Sequence, residues 1–175
     1  MQQMKYYKMS QDKRIQNGVC FVEFPTRQVI EFGSSYAKIM KKSVTLHVKD
    51  NIHTSLAEVI EAPCFMVSEE IYKVIHMYEP NVTFATAVLK YNQSEEINIY
   101  KIGLIDRLEC LHESTEFYKD NSLKRLVLDR KKLEGRHIAR VKGITPCDVI
   151  VSMAVAESVL RRNCMGVQFE EIETA

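Results

Sequence analysis

The chain has 175 residues, 46% of them apolar and 27% charged; this is the balance of a globular protein and excludes the polar, charge-dominated profile of intrinsic disorder. With 24 basic against 23 acidic residues the net charge is +1, so no long-range field draws in nucleic acid or an anionic membrane. A length of this order fits one domain, residues 1–175, able to bury its own core without a disulfide or metal staple.

The opening Lys5-Tyr6-Tyr7-Lys8 interleaves aromatic and basic residues, a pattern that suits an edge strand as well as it suits base stacking. Val19 to Phe24 and Val44 to Val48 read as short strands, the second with clearer alternation. From Pro63 the pattern sharpens. Pro63-Cys64-Phe65-Met66-Val67 is an apolar run, Ser68 is placed to cap a helix opened by Glu69 and Glu70, and Ile71, Val74, Ile75 and Tyr78 form its buried stripe before Pro80 stops it. Val82–Tyr91 and Ile97–Ile102, joined through Asn92-Gln93-Ser94, are expected to form an antiparallel hairpin. Leu123–Leu128 and His137–Val141 add two strands, separated by a charged loop that contains the basic run Arg130-Lys131-Lys132. At the end, Val149-Ile150-Val151 leads to Ser152 as the cap of a helix over Met153–Arg162, which buries Val155, Ala156, Val159 and Leu160, and Gly166 precedes Val167-Gln168-Phe169.

This last series repeats the order of the first: a Pro-Cys pair, an apolar run, a serine cap, a helix, then an extended run. Pro63 and Pro146 are 83 positions apart, Ser68 and Ser152 are 84 apart, and the alternatives are a duplicated strand-helix-strand unit or the chance recurrence of a common helix start. The expected fold is α+β, an antiparallel or mixed sheet carrying two to four helices.

The residues that could carry chemistry do not assemble into a motif. The six glycines are scattered singly, which gives no phosphate loop and no nucleophile elbow. Cys20, Cys64, Cys110, Cys147 and Cys164 are odd in number and dispersed, which suits packing in a reducing compartment better than a disulfide framework. Cys110 and His112 form one close pair without a second to complete a metal site, and His47, His53, His76 and His137 stand alone. Asp106, Glu109, Glu113 and Glu116 read as a solvated helix face or loop. No catalytic, cofactor-binding or metal-binding residue is assigned, and the residues that would contact a partner are not legible. An alternative enzyme reading needs His112 or His137 to meet a cysteine or glutamate in a cleft; a regulatory scaffold is the other alternative. The start of the chain shows no apolar signal core and no later stretch reaches membrane-spanning length, so a cytoplasmic protein is expected.

Several segments resemble a family of bacterial immunity proteins, first catalogued as a domain of unknown function, that protect cells from polymorphic toxins. They are Met4-Lys5-Tyr6-Tyr7-Lys8-Met9, Val67-Ser68, Tyr100 with Ile105-Asp106-Arg107-Leu108-Glu109, Leu126-Val127-Leu128-Asp129, His137-Ile138-Ala139-Arg140, Ile150-Val151-Ser152 and Gly166-Val167-Gln168-Phe169. Glu109 stands where that pattern tends to have Asp, and Ala139 where it often has an aromatic. The resemblance implies a non-enzymatic inhibitor in the cytosol whose partner is a cognate toxin; no cofactor, nucleic acid or membrane partner is expected.

Overall fold

The structure, a computed structural model, describes residues 4–15, 19–22, 43–49, 56–92, 94–144 and 148–175. Among them the fold is α+β, dominated by strands, with parallel and antiparallel pairings in the same sheets. A five-stranded sheet has the order β2 (Ser43–Val48), β5 (Thr83–Tyr91), β6 (Ile97–Leu104), β4 (Met66–Val67), β3 (Val59–Ile60). Only β2 and β5 run parallel; the other neighbours are antiparallel. Between β4 and β5 the chain makes helix α1 (Glu69–Tyr78). Its start is as the sequence indicates, with the Ser68 hydroxyl accepting the Ile71 N–H and Ile71, Val74 and Ile75 buried.

A second set of strands repeats this arrangement. Its order is β10 (Val127–Leu128), β13 (Val167–Thr174), β1 (Tyr6–Gln11), β12 (Val149–Ser152), β11 (Ile138–Val141), with β7 (Arg107–Leu108) added beside β11. Again the first pair is parallel and the next three are antiparallel, and helix α3 (Met153–Leu160) connects β12 to β13. The strand inserted between the helix-linked pair differs in origin: β6 follows β5 directly, whereas β1 comes from the start of the chain.

Counted from the two caps, the positions match. Val67 lies between Lys101 and Val59, and Val151 between Tyr7 and Ile138. One residue farther along, Ser68 N–H donates to the Glu58 carbonyl at 2.8 Å and Ser152 N–H to the His137 carbonyl at 2.9 Å. Tyr100 and Tyr6 then occupy equivalent places, both buried. Their hydroxyls act alike: Tyr100 donates to the Ala57 carbonyl at 2.8 Å, and Tyr6 to the carbonyls of Arg136 and Leu133, both at 3.0 Å. Phe84 and Phe169 also correspond, each on the strand after the helix and each packed on the same core.

That core lies between the units, where α1 and α3 meet and Ile71, Val74, Ile75, Val155 and Val159 are fully buried; each such side chain contributes about 1.5–3 kcal/mol of transfer free energy. The hydroxyls of Tyr78 and Ser158 bond at 2.8 Å across the helix pair. Two further clusters cover the opposite sheet faces, one around Leu46, Met66 and Ile102, the other around Tyr6, Leu128 and Ile150.

The chain departs from the sequence pattern at several places. Leu123–Leu128 is two strands, because the chain changes partner at Leu126: β9 (Leu123–Arg125) pairs with β8 (Glu116–Phe117), and β10 leaves to join β13. The basic run is a one-turn helix, α2 (Arg130–Leu133), since Asp129 accepts the N–H groups of Lys131 and Lys132. The last helix ends at Leu160, which is 56% exposed, while Ser158 takes a buried place against Tyr78. The strand expected at Val19–Phe24 shows one bridge, Phe21 to Val48, and its residues 23 and 24 lie outside the described residues, as do Pro146 and Cys147. No helix among the described residues is long and apolar enough to cross a membrane.

Candidate functional site

The polar residues nearest the inter-unit core suggest a serine-histidine pair at first sight. His137 Nδ1 lies 2.8 Å from Ser152 Oγ, and the Tyr78 ring sits 5.2 Å from the His137 ring. Ser152 is fully buried, however, and its oxygen also accepts the Val155 N–H at 3.4 Å as the cap of α3. The equivalent place in the first unit is informative: there the Ser68 hydroxyl donates to Glu58 Oε2 at 3.1 Å. A carboxylate accepts a hydroxyl proton, and an imidazole nitrogen either accepts one or, as N–H, donates to the hydroxyl oxygen, so each can partner a serine hydroxyl without sharing the other's base strength. The shared requirement is therefore a partner for the cap hydroxyl, which locks helix to sheet.

The thiols are similarly committed. Burial pushes the Cys64 thiol up to about 12 against Arg140's opposing pull, and burial, with Glu58 next, pushes Cys164 up to about 12. Both thiols are thus protonated at neutral pH, the reverse of what nucleophilic chemistry needs. Cys110 is fully buried among apolar residues, and Cys20 is exposed. His112 Nδ1 is 2.7 Å from Ser114 Oγ, within its own turn. No group of three or more His, Cys, Asp or Glu residues that could hold a metal occurs among the described residues.

The acidic stretch lies on loops and short strands: Glu109 pairs with Lys142, and Glu116 with Lys124 at 2.6 Å, which holds both carboxyls below the usual range. Tyr6, Tyr7 and Lys8 are in an interior strand, flanked by β12 and β13, and Lys5 immediately precedes it. Tyr6 is buried, Lys5 pairs with Glu171 at 2.8 Å and Lys8 with Asp148 at 2.7 Å. These side chains are occupied in the fold and do not form a stacking platform.

Two surface features lie apart from these committed side chains. The first is a cleft of about 330 Å³ between the units, bounded by the chain leaving α1, the turn from β6 to β7, and the start of β11. The second is the open end of the first sheet. On its helix side α1 reaches Phe84 and Lys101, with Tyr72 against both and Glu69 at 3.5 Å from Lys101. Beyond them Ile99 and Ile97, each 55% exposed, stand beside Val88 and Lys90. Alternation along the strand marks these isoleucines as outward-facing only after the pairing is known, since an apolar pair in a strand ordinarily signals core.

No protein-family profile matches the chain, and no curated protein matches it in sequence.

Proposed function

We propose that this protein is a non-enzymatic protein-binding module of the immunity class, neutralising a cognate toxin in the cytoplasm, and that its two strand-helix-strand units are copies of one ancestral unit. The observation that carries the binding reading is the Ile97/Ile99 surface. Two β-branched apolar side chains exposed on the same sheet face, beside Val88 and rimmed by Lys90, Thr45 and His47, have the apolar-centre, polar-rim composition of a docking patch. The buried cap hydroxyl of Ser152 and the protonated thiols of Cys64 and Cys164 support a role without covalent chemistry.

The toxin assignment rests on the sequence resemblance. Many of its residues are fold determinants: Tyr6 and Tyr100 anchor loops, Ser68, Asp129 and Ser152 cap helices, and Gly166 takes a positive φ of 69°. These residues set the fold of this chain and leave a partner surface free to vary.

The test is co-expression with the product of the adjacent gene, scored by cell survival and by co-purification. I97E/I99E should leave the thermal transition unchanged and weaken the complex by about 2 kcal/mol or more, about thirtyfold. A neighbour that is harmless, or protection that survives I97E/I99E undiminished, would overturn the proposal.

A further inference from the structure

The two units meet at two equivalent junctions, and these are filled differently. At the first, the chain leaving α1 crosses to β11, where Glu79 Oε2 accepts the Ile138 N–H at 2.9 Å. At the second, the chain leaving α3 crosses to β3, where the Glu58 N–H donates to the Met165 carbonyl at 3.0 Å and the Met165 N–H to Glu58 Oε1 at 3.2 Å. The second junction is closed: the Asp12 N–H donates to the Gly166 carbonyl at 3.0 Å, and a methyl placed on Gly166 would lie 2.6 Å from Ile15 Cδ1 and 2.7 Å from Ala57 Cβ. The first junction holds the cleft of about 330 Å³.

We propose that the open junction binds one small organic anion per chain, a molecule with an apolar body and a carboxylate or phosphate head, and that Ile15 denies its counterpart the same ligand. The lining is mixed, and Val82, Leu104 and Leu108 supply the apolar wall against which the body would lie. At the rim stand the exposed Arg107 and Arg136. Among the described residues Arg14, Arg125 and Arg161 make ion pairs, and Arg130 and Arg140 have partners of their own. Arg107 and Arg136 thus enter no ion pair with a described residue.

The carboxylates of the same cleft are already in use, since Glu79 holds the Ile138 N–H and Asp106 has a partner of its own. Among the described ionic groups of the cleft the guanidiniums of Arg107 and Arg136 are the ones without a partner, and a guanidinium fork matches the oxygens of a carboxylate or phosphate. At about 330 Å³ the cleft lies at the small end of the range of ligand pockets, which suits a short chain with one head group. Apolar walls with a few convergent charges are the usual composition of a small-ligand site. This inference is independent of the partner surface, which lies at the other end of β6.

Calorimetric titration of the full chain with octanoate, monooctyl phosphate and octan-1-ol tests it. Saturable binding of octanoate, monooctyl phosphate or both is expected, at one equivalent per chain, with octan-1-ol at least about tenfold weaker. Whichever anion binds identifies the head group. R107Q/R136Q should weaken binding about tenfold while the thermal transition holds, and Asn81→Trp, which adds bulk at the exposed rim, should abolish it. The proposal is overturned if neither anion binds the folded protein, if octan-1-ol binds as well as they do, if R107Q/R136Q binds like the parent, or if two equivalents bind.

Discussion

Replacing Ser152 by alanine removes the hydroxyl that joins α3 to the strand beside it, and the structure allows the cost to be worked out. The cap bond to Val155 N–H is long at 3.4 Å, which puts its loss at the low end of the capping range, about 0.5–1 kcal/mol. The bond to His137 Nδ1 is short at 2.8 Å and its serine end is fully buried, worth about 1–1.5 kcal/mol. Together S152A should cost about 2 kcal/mol, which in a chain of this length lowers the melting temperature by about 4–8 °C. S68A should cost about half as much, because Ser68 is only half-buried and water can solvate Glu58 in its place. Urea denaturation followed by circular dichroism measures both, and the cycle with H137A should show a coupling of about 0.5–1.5 kcal/mol. If S152A unfolds within about 0.5 kcal/mol of the parent, the hydroxyl is not a lock, and a chemical role for the Ser152–His137 pair must be reopened.

Tyr100→Phe and Tyr6→Phe should each lose about 1–2 kcal/mol, since each leaves a buried carbonyl without its hydroxyl donor; the double variant, with its sites in different units, should be additive to within about 0.5 kcal/mol in the same urea assay. Gly166→Ala should be more destabilising than Gly135→Ala: both have positive φ, at 69° and 75°, but only Gly166 has Ile15 and Ala57 within 2.8 Å of the added carbon. Thermal unfolding of the pair separates steric from backbone strain. The thiols of Cys64 and Cys164 are raised from 9.0 to about 12, and Tyr100 is raised too, by burial. A raised acid favours the protonated folded state, so this stability is fully present below pH 9 and is lost as pH climbs toward 12. Urea midpoints should fall across that window, and a thiol reagent at pH 8 should label exposed Cys20 while sparing Cys64 until the chain unfolds.

Local structure was largely legible. Ser68 followed by two glutamates and an i, i+3, i+4 stripe announces α1, because capping and amphipathic burial act over a few residues and need no distant partner. The hairpin of β5 and β6 was readable for the same reason. Where the reading failed, a distant partner decided. Leu160 completes an apolar stripe in sequence, yet the core begins where α1 meets α3, and that meeting selects Ser158 to face Tyr78. Leu126 looks like the middle of one strand until Glu116 claims one side of it and Glu173 the other.

The candidate sites were less legible than the elements. Neither Ile97 nor Ile99 could be distinguished from core residues, and Arg107 and Arg136, 29 positions apart, carry no shared motif. Residues close in space acquire a common role only when the strands that bear them have been paired.

Composition and short-range pattern determined by themselves that this chain folds as an α+β protein, where its two capped helices start, and that its cysteines and histidines follow no familiar spacing. Tertiary structure alone decided that β1 completes the unit built by the last third of the chain, that one inter-unit junction stays open while Ile15 fills the other, and that Ser152 is sealed from solvent. The reason is range: capping and periodicity are energies between neighbours along the chain, whereas register, burial and cavity shape are energies between segments whose meeting is not written at any one of them.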